Sequence, residues 1–197
     1  MGLVSKQWKP VSAHEVIAEY LASEPHKLNG IPSFIQGIVN SPNLTDSAEN
    51  HLRLRLLYHL RCFILAEIPP DVAWYEVATL TDDELPELYV IPHCGWDDPG
   101  GSHELVKVAC RRPQTLRSNP STWRRPILFG HTRSGPFTIL EGNNRFTAYV
   151  SDGGSGLHVQ AFVGLSPTPC YWHQPDSVRP IAGSLWKDEN NWPQFEL

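Results

Sequence analysis

Val16, Ile17, Tyr20 and Leu21 recur at helical spacing, and Ser12 and Glu15 stand ahead of them as a capping box. The spacing predicts a short amphipathic helix over 13–22, ended by Pro25 and the Asn29-Gly30 pair. A second helical segment is expected over 31–39, with Pro32 in its first turn, before the break at Ser41-Pro42-Asn43. The strongest helix is expected over 48–67, capped by Asp46 or Ser47. Leu52, Leu56, Leu57, Leu60, Phe63 and Ile64 form its apolar face, with Arg53, Arg55 and Arg61 away from that face or at its edges.

After Pro69-Pro70 the period changes. Residues 74–80 alternate and are rich in strand formers, and 88–91 read as a second strand. Thr81 to Glu84 reads as a turn or a one-turn helix start, and a helix is expected over 102–110. Residues 126–129 and 136–140 form a hairpin turning near Arg133-Ser134-Gly135. A helix to about Val150, a glycine-rich connection over 152–156 and a strand over 158–163 complete the pattern. The chain is therefore expected to be α+β. Residues 1–68 would be a helical extension, with 1–67 almost entirely helical; 69–166 the core; and 167–197 a Pro- and Trp-rich tail wrapping it.

Hydrophobic residues make up 41% of the chain and charged residues 19%, which suits a folded core and argues against disorder. No apolar run reaches membrane-spanning length, and the first residues lack the apolar centre of a signal peptide. Cys62, Cys94, Cys110 and Cys170 are scattered with no Cys-x-x-Cys pair, so a thiolate zinc site is not expected. Reduced thiols and a cytoplasmic location are the simplest account. Net charge is −5, yet Lys107, Arg111, Arg112, Arg117, Arg124, Arg125, Arg133 and Arg145 crowd one segment, and no Asp or Glu stands between Leu105 and Leu140. The global negative charge weighs against broad, non-specific nucleic-acid binding; a basic segment suits a small phosphorylated ligand, or is a solvated basic face.

The chemistry concentrates at the end of the hairpin, in Glu141-Gly142-Asn143-Asn144-Arg145. Gly142 permits a sharp turn. The first amides of the following helix have no partner inside it, and the helix dipole favours an anion in front of them. Arg145 adds a planar fork suited to phosphate, and Glu141 adds a carboxylate at the rim. Arg133 and His131 are further candidates for phosphate contact. The same residues also fit a plain corner in which Asn caps the helix and Arg145 pairs with Glu141. The loop around His93, Asp97 and Asp98 can hold a hard cation such as Mg²⁺, or be an ordinary turn. His51 and His59 could be ligands, but a helical histidine is more often a surface or core-edge residue.

The run Glu-Gly-Asn-Asn-Arg-Phe-Thr-Ala-Tyr over 141–149 resembles the signature turn of the ParB/sulfiredoxin superfamily, as do the hairpin before it and the strand over 159–163. The similarity spans about residues 85 to 166. It implies a small mixed β-sheet with packed helices and a turn that cradles the phosphates of a nucleotide. Asn143 stands where sulfiredoxin-like enzymes carry cysteine, which argues against their thiol chemistry. No helix-turn-helix pattern follows the core, which argues against a partition role. The stand-alone members, some of them nucleotide-dependent small-molecule kinases, are the nearest in kind. The resemblance therefore implies ATP or another nucleoside triphosphate with Mg²⁺, a small hydroxylated substrate, and Glu141 and Arg145 as catalytic residues. Gly142, Asn143, Asn144 and Arg145 would hold phosphate. The alternative is a non-catalytic nucleotide- or nucleic-acid-binding module.

Overall fold

The computed structural model describes residues 3–24, 28, 30–65, 68–90, 120, 123–151 and 153–168. The helix expected over 102–110, the loop carrying Asp97 and Asp98, and the tail beyond residue 168 lie outside them.

Strand β1 (Trp8–Val11) leads into helix α1 (Ala13–Ala22), followed by α2 (Ser33–Asn40) and α3 (Ser47–Leu65). Strand β2 (Ala73–Leu80) is followed by a 3-10 segment (Asp82–Glu87) and β3 (Leu88–Val90). The hairpin strands β4 (Ile127–Gly130) and β5 (Phe137–Glu141), helix α4 (Asn143–Ser151) and strand β6 (Val159–Leu165) follow. The strands form one six-stranded mixed sheet in the order β1-β2-β6-β4-β5-β3. The β4–β6 and β5–β3 pairs are parallel, and the other pairs are antiparallel.

The α+β class and the mixed sheet are as expected, but β1 overturns the expectation that residues 1–67 are almost entirely helical. Four residues including Pro10 carry too little alternation to announce a strand, and a proline is tolerated at a sheet edge. It is the pairing of Trp8 with Val77 and of Val11 with Trp74 that makes them one.

Alternation along the strands gives the sheet two buried faces. Leu128, Phe137, Ile139, Ala161 and Val163 pack with Phe146 and Tyr149 of α4 on one side. Ile127, Phe129, Leu140 and Phe162 pack on the other with Val16, Tyr20 and Leu21 of α1, Val39 of α2 and Leu57 of α3. Residues set apart by their pattern as an extension thus share a core with the sheet.

The caps follow the sequence. Ser12 Oγ accepts the Glu15 amide at 3.3 Å, and the Glu15 carboxylate accepts the Ser12 amide at 2.8 Å. Of the two candidate caps for α3, Asp46 does the work, accepting the amides of Ala48 and Glu49 at 2.9 and 3.1 Å. Thr81 opens the 3-10 segment with Glu84 in a second capping box.

Two expectations for α3 change. Leu52, placed on the apolar face, is 39% exposed. Arg53, placed off it, is 1% exposed and donates to the carbonyls of Ile38 and Asn43. Its guanidinium serves as a polar centre of the α2–α3 connection, supplying donors to a carbonyl of α2 and to one of the connection itself.

Candidate functional site

Strand β5 ends in a bulge. Ile127 of β4 pairs with Glu141 and Leu128 with Ile139, so Leu140 is an extra residue with no partner opposite it on β4. Bulges bend a strand and re-aim the side chains that follow. Gly142 then takes φ +108°, a left-handed conformation that glycine alone adopts readily. A Cβ at this position would also approach Pro126 Cβ to 3.2 Å. The Gly142 carbonyl accepts the amides of Arg145 and Phe146, both at 3.0 Å, and these bonds start α4.

Arg145, on the first turn of α4, is held from two sides. Its Nη1 donates to the Arg124 carbonyl at 2.7 Å, and its Nη2 lies 3.1 Å from Glu141 Oε1. The second contact is an ion pair without hydrogen-bond alignment, since Nη2 is buried with no acceptor in line. The guanidinium also lies 5.9 Å from the centre of the Trp123 ring. The pairing of Arg145 with Glu141 that the sequence allowed is therefore present. Asn143 turns inward, its Nδ2 donating to the Ile139 carbonyl at 3.0 Å, whereas Asn144 is exposed. Asn143 thus ties the helix start to the strand.

A second layer lies behind the corner. The hydroxyl of Tyr20, buried on α1, donates to the Leu140 carbonyl at 3.2 Å and accepts from Arg61 Nε at 3.3 Å. Arg61 Nη2 forms an ion pair with Glu24. Burial pushes the Tyr20 phenol up to about 12; the nearby Glu141 carboxylate adds to the rise, and Arg61 opposes it. Sequence reasoning took Tyr20 for an apolar helix position and Arg61 for an edge residue. The available signal was the hydroxyl, since a buried tyrosine usually finds a partner for it.

Arg133 and His131 are not brought to this corner. They sit in the hairpin turn at the start of β5, separated from Glu141 by about 13 Å of strand at the usual rise per residue. Arg133 lies over the rings of Trp8 and Tyr75, 5.1 and 5.4 Å from their centres. His131 Nδ1 is 2.8 Å from the Ser166 carbonyl, so Nδ1 carries the proton there.

The basic run is also less free than its sequence suggests. Arg125 pairs with Glu76 at 2.8 Å and Glu19 at 3.1 Å, and its guanidinium lies over Phe162. Arg124 reaches Glu19 at 3.7 Å. Acids from α1 and β2, distant in sequence, neutralise this part of it. His51 and His59 are exposed on α3, as expected. Among the described residues no three His, Cys, Asp or Glu side chains group to hold a metal, and no helix is long and apolar enough to cross a membrane.

Set against protein-family models, curated proteins and solved structures, the chain matches none.

Proposed function

We propose that the protein is a nucleotide-dependent enzyme that binds the phosphates of ATP or another nucleoside triphosphate at the β5–Gly142–α4 corner. Phosphotransfer to a small hydroxylated substrate is the reaction best suited to it. The observation that carries this reading is the convergence of Glu141 and Arg145 at 3.1 Å in front of a helix that opens on glycine. That arrangement supports the likeness to the ParB/sulfiredoxin-like nucleotide-binding turn, to which the sequence run also points.

The roles follow from the chemistry. Asn144, Arg145 and the first amides of α4 receive phosphate oxygens, with the helix dipole and the guanidinium supplying positive potential. Entry of the phosphate draws Arg145 Nη2 from Glu141, which frees a carboxylate beside the reacting group. Glu141 then accepts the proton of the substrate hydroxyl, as a general base within hydrogen-bond reach does. Mg²⁺ fits this donor set, because its sites commonly join one or two carboxylates to substrate phosphates. In that alternative role Glu141 would hold the ion in place of taking the proton, and the ion would supply charge neutralisation during transfer.

A second reading, a nucleotide-binding module without turnover, is favoured by one observation: Glu141 is already engaged by Arg145. Nucleic acid remains the less favoured ligand, because acids offset Arg124 and Arg125. Calorimetric titration with ATP, with and without Mg²⁺, followed by a phosphate-transfer assay against hydroxylated acceptors, tests both. Binding with Mg²⁺-dependent transfer establishes the enzyme. Binding alone establishes the module, and no binding of any nucleotide overturns both.

A further inference from the structure

We infer that Tyr20 is a positioning residue for this corner, coupling the N-terminal helices to the backbone that carries Glu141 and Gly142. Its functional consequence rests on the phosphate-binding reading proposed above.

The slip in the β4–β5 register leaves Leu140 opposite no residue of β4, immediately before Glu141. A bulged residue is the weak point of a ladder, and its orientation sets where the next side chains point. The Leu140 carbonyl is taken by the Tyr20 hydroxyl at 3.2 Å, across 120 positions of sequence. Tyr20 is only 4% exposed, so water does not compete freely for that bond.

The hydroxyl is itself held. Arg61 Nε donates to it at 3.3 Å, Arg61 Nη1 donates to the Leu60 carbonyl at 3.3 Å, and Arg61 Nη2 pairs with Glu24 just beyond the end of α1. Arg61 has φ −147° and ψ 36°, outside the helical region, so α3 kinks at the residue that reaches across to α1. Two helices, a kink and a bulge thus meet at one phenol oxygen. A tyrosine serving only the core would need its ring and any nearby acceptor. Here the acceptor is the carbonyl of the bulged residue immediately before Glu141.

Tyr20→Phe removes the oxygen and keeps the ring. In the full chain, titrated calorimetrically with MgATP and separately with inorganic phosphate, affinity should fall about three- to tenfold, the scale of one hydrogen bond. Reduced thermal stability with affinity unchanged would overturn the inference and leave Tyr20 a core residue.

If the unaltered protein binds neither probe, the phosphate reading fails, and the positioning claim is decided by amide hydrogen exchange. Tyr20→Phe should then speed exchange at Glu141 and Gly142 relative to Leu128 on the neighbouring strand; an unchanged ratio overturns it. Should Tyr20→Phe not fold, Arg61→Gln keeps the phenol, removes the ion pair with Glu24, and is read by the same two measurements.

Discussion

The two ends of β5 hold the two groups of polar residues that the sequence singled out, and they are built differently. At the far end, His131 is tied to the Ser166 carbonyl, and the Ser166 hydroxyl donates to Asp71 at 2.6 Å. Arg133 lies over two aromatic rings there. These contacts hold a hairpin turn against the end of β6 and against rings of β1 and β2. At the near end, a bulge, a left-handed glycine and a helix start leave Arg145 with a buried, unaligned Nη2 beside Glu141. Rich polar chemistry occurs at both ends, but only one end places it at a helix N-terminus. Cationic residues close in sequence are separated by the length of one short strand.

The largest expected effect belongs to the near end. Glu141→Gln should lower turnover by about 10²-fold or more, the scale of general acid–base catalysis, while nucleotide affinity changes far less. Steady-state rates with Mg²⁺ and a hydroxylated acceptor, beside calorimetric binding, separate the two constants. Parallel loss of both would mean that Glu141 serves only to hold Arg145.

Gly142→Ala forces a Cβ into a left-handed conformation and towards Pro126. It should cost about 1–3 kcal/mol, the scale of a strained backbone position, as read by urea denaturation. An unchanged midpoint would show that the turn relaxes without glycine.

The two ends should also differ in the sign of their pH dependence. Tyr20, near the corner, is pushed up to about 12, so the unfolded chain loses this proton first. Its contribution to stability is complete below about pH 10, the unperturbed phenol value, and is lost as pH rises towards 12. Asp71, at the far end, is held below the usual carboxylate range by hydrogen bonds from Ser166 and then Thr168. Its contribution is complete above about pH 4, the unperturbed value, and is lost as pH falls through the depressed folded value. Urea midpoints across pH should therefore flatten on the alkaline side in Tyr20→Phe and on the acid side in Asp71→Asn. Identical profiles for both variants would contradict these assignments.

The smallest effect is expected for Arg133→Ala, which removes exposed cation–π contacts worth about 0.5–1 kcal/mol. A urea midpoint lowered by much more would mean that the hairpin turn depends on that stack.

The corner was legible because its signals are local. Alternation gives β4 and β5, glycine gives the turn, and the helix follows at once. What escaped depends on partners far away in sequence. Trp8 to Val11 become a strand by pairing with β2. Tyr20 and Leu140 meet across 120 positions, and Arg53 is buried because carbonyls of another segment surround it. The bulge at Leu140 is a matter of register between two strands and leaves no mark in either. Arg133 and His131, named with Arg145 as phosphate candidates, stand at the other end of β5 from it, because the strand between them separates residues that are near along the chain.

Calorimetric titration of MgATP into the unaltered protein, Arg145→Ala and Arg133→Ala tests the central claim most directly. The unaltered protein should bind, and Arg145→Ala should weaken binding about 10- to 100-fold, matching a lost charged hydrogen bond of about 1.5–3 kcal/mol. Arg133→Ala should stay within about twofold, as a surface substitution does. Unchanged affinity in Arg145→Ala, or a larger loss in Arg133→Ala, would contradict the assignment of phosphate to the start of α4.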